Sequence, residues 1–194
     1  MSFLSWPVHK ANLSSRAQQR RKEVIVGLMG QFEKTFPGIT YELLWESSSI
    51  NSVAWRLGEA RYIRVYGGLV RHPGVTRAGL ALILAHETGH HLGGPPYDPD
   101  MPWISWQGQA DYWAAGVGIK KVFGLNSRSI TLRGVRELCA LHQEFCGNAE
   151  EDEPDLPVEC RHQILIAGLA AKPMPDCAQN VLRNLIENSS TRPE

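Results

Sequence analysis

The stretch Thr76-Arg-Ala-Gly-Leu-Ala-Leu-Ile-Leu-Ala-His86-Glu87-Thr-Gly-His90-His-Leu-Gly-Gly94 decides the reading of this chain. Its centre is apolar and helix-compatible. Thr76 is a suitable N-cap, Gly93 and Gly94 supply a left-handed stop, and Pro95-Pro96 forbids continuation. On such a helix His86 and His90 stand one turn apart on one face. Two imidazoles at that spacing can converge on one divalent cation, and Glu87 falls beside it, where a carboxylate can take a proton from a water. His91 lies off that face and reads as structural.

The flanks describe the scaffold. Ser14 or Ser15 caps a helix reaching to about Phe36, with Val24, Ile25, Leu28, Met29, Phe32 and Phe36 at helical spacing. Pro37-Gly38 ends it. Residues 39–46 read as a strand, 51–55 as a short edge strand and 61–66 as another, with Gly67-Gly68 turning the chain toward the His86 helix. After a Pro-rich loop at 95–102, Ser105 caps a helix from about Trp106 to Phe123. Helices at roughly 130–146, 158–171 and 176–188 follow. This order predicts an α+β fold in one domain spanning 1–194. A small, mainly antiparallel sheet packs on the His86 helix in a core of about 14–125, and a helical extension covers about 130–188.

Bulk composition bounds the function. The 194 residues are 43% hydrophobic and 21% charged with a formal net charge of zero, which argues neither for nucleic acid nor for an anionic membrane as partner. The basic cluster Arg16, Arg20, Arg21, Lys22 and the acidic run Glu150–Glu153 with Asp155 read as solvated surface. No apolar run is long enough to span a bilayer, and the first residues lack a basic n-region with an apolar h-region. The expectation is a cytoplasmic chain as given, or a periplasmic or secreted one if a leader has been trimmed. Cysteines 139, 146, 160 and 177 allow three pairings and two readings, reduced buried residues in a cytoplasmic chain or staples in an exported one; their clustering favours at least one bridge if the compartment is oxidising.

Four segments in order resemble the gluzincin metallopeptidases, in particular small single-domain relatives of the CAAX prenyl proteases and HtpX proteases. Asn51-Ser-Val-Ala54-Trp55 is similar to the family's Asn-x-x-Ala edge strand. Ile63-Arg-Val-Tyr-Gly-Gly-Leu69 looks like the strand and turn before the metal helix. His86-Glu-Thr-Gly-His90 matches the metal motif, and Gln107-Gly-Gln-Ala-Asp111-Tyr-Trp-Ala114 resembles the downstream Glu-x-x-Ala-Asp-x-x-Ala. The resemblance covers roughly residues 39–120. It implies a zincin-like core, one Zn²⁺ on His86 and His90, Glu87 as catalytic base for a metal-held water, and Asn51 and Ala54 on a platform for a peptide or protein substrate.

The departure is Gln107, where the family places its third ligand, a Glu. A neutral amide is a poor zinc ligand and offsets none of the metal's charge. Three arrangements are open: Asp111 as third ligand, Gln107 ligating through its carbonyl oxygen, or a site that binds metal poorly. Zinc's preference for carboxylate favours Asp111, whose other role would be to hydrogen-bond a liganding His. The expected function is therefore a soluble zinc metallopeptidase. The alternatives are a catalytically impaired metal-binding or regulatory protein on the same scaffold, or an iron-dependent peptide-modifying enzyme, since two His and a carboxylate also suit Fe(II). Candidates for an oxyanion donor are Tyr112, Tyr97, His142, His162 and Arg161, the last more naturally in a structural ion pair. Trp103, Trp106 and Trp113 line either a pocket or the core. Oligomeric state is not legible.

Overall fold

The computed structural model describes residues 13–146 and 156–189; the acidic run at 150–155 and the N-terminal leader question lie outside them. Helix α1 spans Ser15–Thr35 and is capped by Ser14, whose hydroxyl accepts from the Ala17 N–H. Strands β1 (Ile39–Leu44), β2 (Ser52–Leu57) and β3 (Ala60–Tyr66) follow, then a short α2 (Gly67–Arg71) where the sequence reads as a turn. Helix α3 is Arg77–Leu92, capped by Thr76. Its stop differs in detail from expectation: Gly93 stays right-handed and Gly94 takes the positive φ of 73°.

The chain is α+β, as the element order predicts. Its sheet is mixed rather than mainly antiparallel. The order is β1-β3-β2, with β3 in the centre. The short Gly58-Glu59 connection makes β2 and β3 an antiparallel hairpin, Ala54 opposite Ile63. The 45–51 loop first returns the chain across the sheet end, so β1 meets β3 in parallel, Tyr41 opposite Ile63. Among the described residues, β2 is an edge strand, where the 51–55 reading puts it.

The single helix expected over 106–123 is broken. It runs as α4 (Gln107–Trp113), a π-helical turn at Ala114–Gly118 and α5 (Ile119–Phe123). Ser105 does not cap it; its hydroxyl donates to the Gly94 carbonyl and pins the 94–105 loop instead. A 3₁₀ turn leads into α6 (Ser127–Cys146), followed by α7 (Val158–Leu169) and α8 (Asp176–Ser189). None of the described helices is long and apolar enough to cross a membrane.

The core lies between α1, the sheet, α3 and α6. Phe32, Ile63, Leu82, Ile83, Leu84 and Ile119 are fully buried there, and α3 is buried on every side from Ala78 to His91. A second cluster joins Trp106 to Cys160, Ile164 and Ala178, and a Cys160–Cys177 disulfide staples α7 to α8. Cys139 is not bridged. Trp106 and Trp113 are core residues. Within the basic cluster, Arg21 is not merely solvated: it donates to the carbonyls of Val70, His72 and Val75 and so closes the α2–α3 connection.

Two glycines set the helix spacing. A Cβ on Gly89 would stand 2.8 Å from the Ala110 carbonyl oxygen and 3.0 Å from its Cα, so α3 and α4 touch backbone to backbone there. A Cβ on Gly168 would collide with the Tyr112 backbone, which brings α7 equally close to α4. Gly89→Ala is therefore expected to destabilise the protein by about 1–3 kcal/mol through overpacking. Gly27→Ala, on α1 with nothing within 4 Å of the added methyl, should stabilise by roughly 0.5–1 kcal/mol. Paired denaturant melts check both signs.

Candidate metal and catalytic site

The Gly89 contact places the C-terminal half of α3 against α4 and the loop before it. His86, Glu87 and His90 are 0%, 0% and 1% exposed, so each polar atom needs a partner or a role. His90 Nδ1 sits 2.8 Å from the Ser105 carbonyl, which can only accept. That fixes the proton on Nδ1 and leaves a lone pair on Nε2. His90 Nε2 is buried and has no hydrogen-bond partner among the described residues. His86 Nδ1 lies 2.7 Å from Asp111 Oδ1, which by the same logic directs a lone pair onto its Nε2. The two rings meet edge to face with centroids 4.6 Å apart.

Asp111 is held from behind. Arg161, on α7, donates Nε to Asp111 Oδ2 at 2.8 Å and Nη2 to Oδ1 at 3.0 Å, a two-pronged charged pair. Arg161 Nη1 also reaches His142 Nε2 at 3.2 Å, while His142 Nδ1 is bonded to the Leu138 carbonyl. Burial alone would raise the Asp111 carboxyl, but the Arg161 guanidinium and His86 outweigh it and hold the group well below the usual carboxylate range. The ion pair expected of Arg161 thus exists, and its partner is a site residue.

This geometry gives Asp111 the second of the two roles expected of it, a hydrogen bond to His86. A carboxylate bonded to Nδ1 lies across the imidazole ring from Nε2, the atom a shared metal would take. Asp111 therefore holds His86 from the Nδ1 side of the ring. In keeping with this, no three His, Cys, Asp or Glu side chains among the described residues form a metal-binding group. Gln107 occupies the other slot. It stands one turn before Asp111 on α4, and its Oε1 is buried without a hydrogen-bond partner among the described residues.

Glu87 is anchored by a residue the sequence reading passed over. The Ser52 hydroxyl, itself fully buried on β2, donates to Glu87 Oε1 at 2.7 Å. Glu87 Oε2 has no partner among the described residues. Burial raises the Glu87 carboxyl, and His86, the Ser52 hydroxyl and Arg161 pull it part of the way back. The signal for Ser52 was available in the alternation of β2, since Ser52 shares a face with the expected Ala54. Both are 0% exposed. Asn51 O accepts from the Tyr66 N–H; by antiparallel alternation the backbone polar groups of Ser52, Ala54 and Arg56 then turn away from β3, toward the outer edge. Its Oδ1 accepts from the Ser52 N–H.

One further bond ties the motif to the sheet. Thr88 Oγ1 donates to the Leu84 carbonyl and accepts from the buried Tyr41 hydroxyl at 2.8 Å. Three of the five expected oxyanion donors are engaged elsewhere: the Tyr112 hydroxyl donates to the Lys172 carbonyl, and His142 and Arg161 belong to the Asp111 network. His91 has the structural part expected, bonding the Tyr62 carbonyl through Nε2 at 3.0 Å.

No family model, curated protein or solved structure matches this chain. The reading of the site rests on its own chemistry.

The buried histidines give a signed pH prediction. Burial pushes His142 down to about 3 and His91 down to about 4, and it lowers His90 as well. Each is neutral when folded and titrates near ~6.5 when unfolded. The unfolded state therefore binds more protons below that pH. Stability is fully present above ~6.5 and falls as pH drops from ~6.5 toward the folded values. Urea melts across this range should show that decline, and His142→Gln should flatten its slope by about one proton.

Proposed function

We propose that this chain is a metal-dependent hydrolase of peptide bonds built on a zincin-like core, with His86 Nε2, His90 Nε2 and Gln107 Oε1 as the atoms that hold a zinc ion. The observation that carries the reading is a set of buried polar atoms on α3 and on the helix packed against it, α4. His90 Nε2, Gln107 Oε1 and Glu87 Oε2 are all buried without a hydrogen-bond partner among the described residues. Leaving such groups unsatisfied costs about 1–3 kcal/mol each. A cation with a water beside it would satisfy them together, and the tautomers set by Asp111 and Ser105 direct lone pairs to it. The donor set fits zinc in its two imidazoles and is weak in its third, neutral oxygen.

When bound, the metal supplies Lewis acidity that polarises a carbonyl and lowers the pKa of a water. The chain's residues supply the rest. Glu87 accepts a proton at Oε2, because Oε1 is held by Ser52. Its raised carboxyl matches a group that must both take a proton and return it to a leaving nitrogen. Asp111 and Arg161 keep His86 from turning. The edge strand β2 brings Ser52 against Glu87, and an extended peptide lying along that strand would pass the same carboxylate.

A second reading has its own observation, the neutral amide of Gln107. With no carboxylate in the set, the site would hold metal more loosely, as a binding or regulatory protein would. The iron-dependent alternative loses its motive, because it required a carboxylate ligand and Asp111 stands behind His86.

Protein purified without a polyhistidine tag is expected to carry one equivalent of zinc, lost in His86→Ala; a metal-free wild type would sink the proposal. Asp111→Asn should weaken zinc by about 10–100-fold without abolishing it, as for a residue behind a ligand. Gln107→Glu should tighten zinc, whereas no change would remove residue 107 from the metal. Cleavage of a peptide library by wild type and not by Glu87→Gln separates hydrolysis from mere binding.

A further inference from the structure

Beside the site is a cavity of about 430 Å³ lined by residues that include Arg56, Arg61, His91, Tyr97 and Trp103. A cavity of similar volume at the other end of α3, lined by Thr76, Arg77 and Arg133 among others, shares no residue with the site. The first cavity has an unusual electrostatic construction. Arg56 on β2 and Arg61 on β3 are direct cross-strand partners. Like charges facing each other across a ladder repel. Among the described residues neither guanidinium forms an ion pair. Arg56 is stacked over the Trp103 ring at 5.4 Å from its centroid, yet its Nε is buried with no hydrogen-bond partner among the described residues. His91, 7% exposed, has a buried Nδ1 that is also unpartnered among the described residues. Its Nε2 proton goes to the Tyr62 carbonyl, so Nδ1 is an acceptor.

We propose that this cavity is a carboxylate-binding subsite, in which Arg56 and Arg61 clamp an anionic group of a peptide and His91 Nδ1 accepts one of its N–H groups. A carboxylate between the guanidinia turns a repulsive pair into a charged fork, the geometry arginine suits best. Trp103 and Tyr97 line the cavity beside the two arginines. Its position sets a register. Arg56 follows Ser52 by four residues on the same strand face, about 13 Å away at strand rise. A peptide lying along β2 with its scissile bond at Glu87 would reach the clamp with a carboxylate three or four residues from that bond. The ligand class rests on the peptide-hydrolase reading; the clamp itself does not.

The test uses the N-acetylated, C-amidated tripeptides Ala-Glu-Ala and Ala-Gln-Ala, with Ala-Gln-Ala bearing a free C-terminus as a third probe. Binding to the full chain is read from the Trp103 indole resonance. Ala-Glu-Ala should bind at least about tenfold tighter than its Gln counterpart. Arg56→Gln and Arg61→Gln should each abolish the difference, while His86→Ala keeps it. Both arginine variants should melt no lower than wild type, since each removes one of two opposed charges. If the free C-terminus alone confers binding, the subsite still reads a carboxylate and its source is a chain end. Equal binding of the Glu and Gln tripeptides overturns the subsite even if the protein cleaves peptides. A Glu preference in a protein that cleaves nothing upholds the subsite and defeats the hydrolase reading alone.

Discussion

The site depends on the buried pair between Arg161 and Asp111. An ionised carboxylate in this interior would be untenable alone, and so would the guanidinium. Together they form a two-pronged contact that leaves Asp111 Oδ1 able to accept from His86. Breaking such a pair from one side costs about 3–5 kcal/mol because the other charge is stranded. The pair therefore fixes three things at once: the protonation of Asp111, the tautomer of His86 and the seating of α7. The tight approach of α7 to α4 at Gly168 makes this possible, because Arg161 lies two turns before that glycine on the same helix face.

A similar economy governs the other wall. Ser52 holds Glu87, and Tyr41 bonds the hydroxyl of Thr88, so the sheet touches the α3 motif at two adjacent residues. Edge strand, α3 and the C-terminal helices thus fix each other's positions through a few short polar bonds inside an otherwise apolar core. The raised carboxyl of Glu87 and the lowered histidines follow from that burial.

Much of this was legible in the residues. Periodicity located α1 and α3, alternation located the strands, and Ser14 and Thr76 cap where side-chain chemistry says they should. The failures have physical causes. Ser105 is a good cap by type, but its hydroxyl went to the Gly94 carbonyl. The helix over 106–123 breaks where small residues, Ala114 to Gly118, let the backbone widen into a π turn beneath α7. The parallel β1–β3 pairing was hidden because alternation shows which residues share a face and not which way a neighbour runs. The role of Asp111 was left open between ligand and hydrogen-bond partner for a related reason. Spacing on α4 put both Gln107 and Asp111 on the face toward α3, but which of them stands before the ring and which behind it depends on Arg161, 50 residues later.

That separation of 50 residues has a consequence for how the molecule comes into being. A chain emerging from the ribosome presents the two histidines and Glu87 well before Arg161 has been made. Until α7 arrives, Asp111 has no counter-charge and nothing fixes which nitrogen of His86 carries the proton. The order of translation therefore makes the fixed tautomer of His86 a late property of the chain, and a product ending before α7 would carry the two histidines and Glu87 without it.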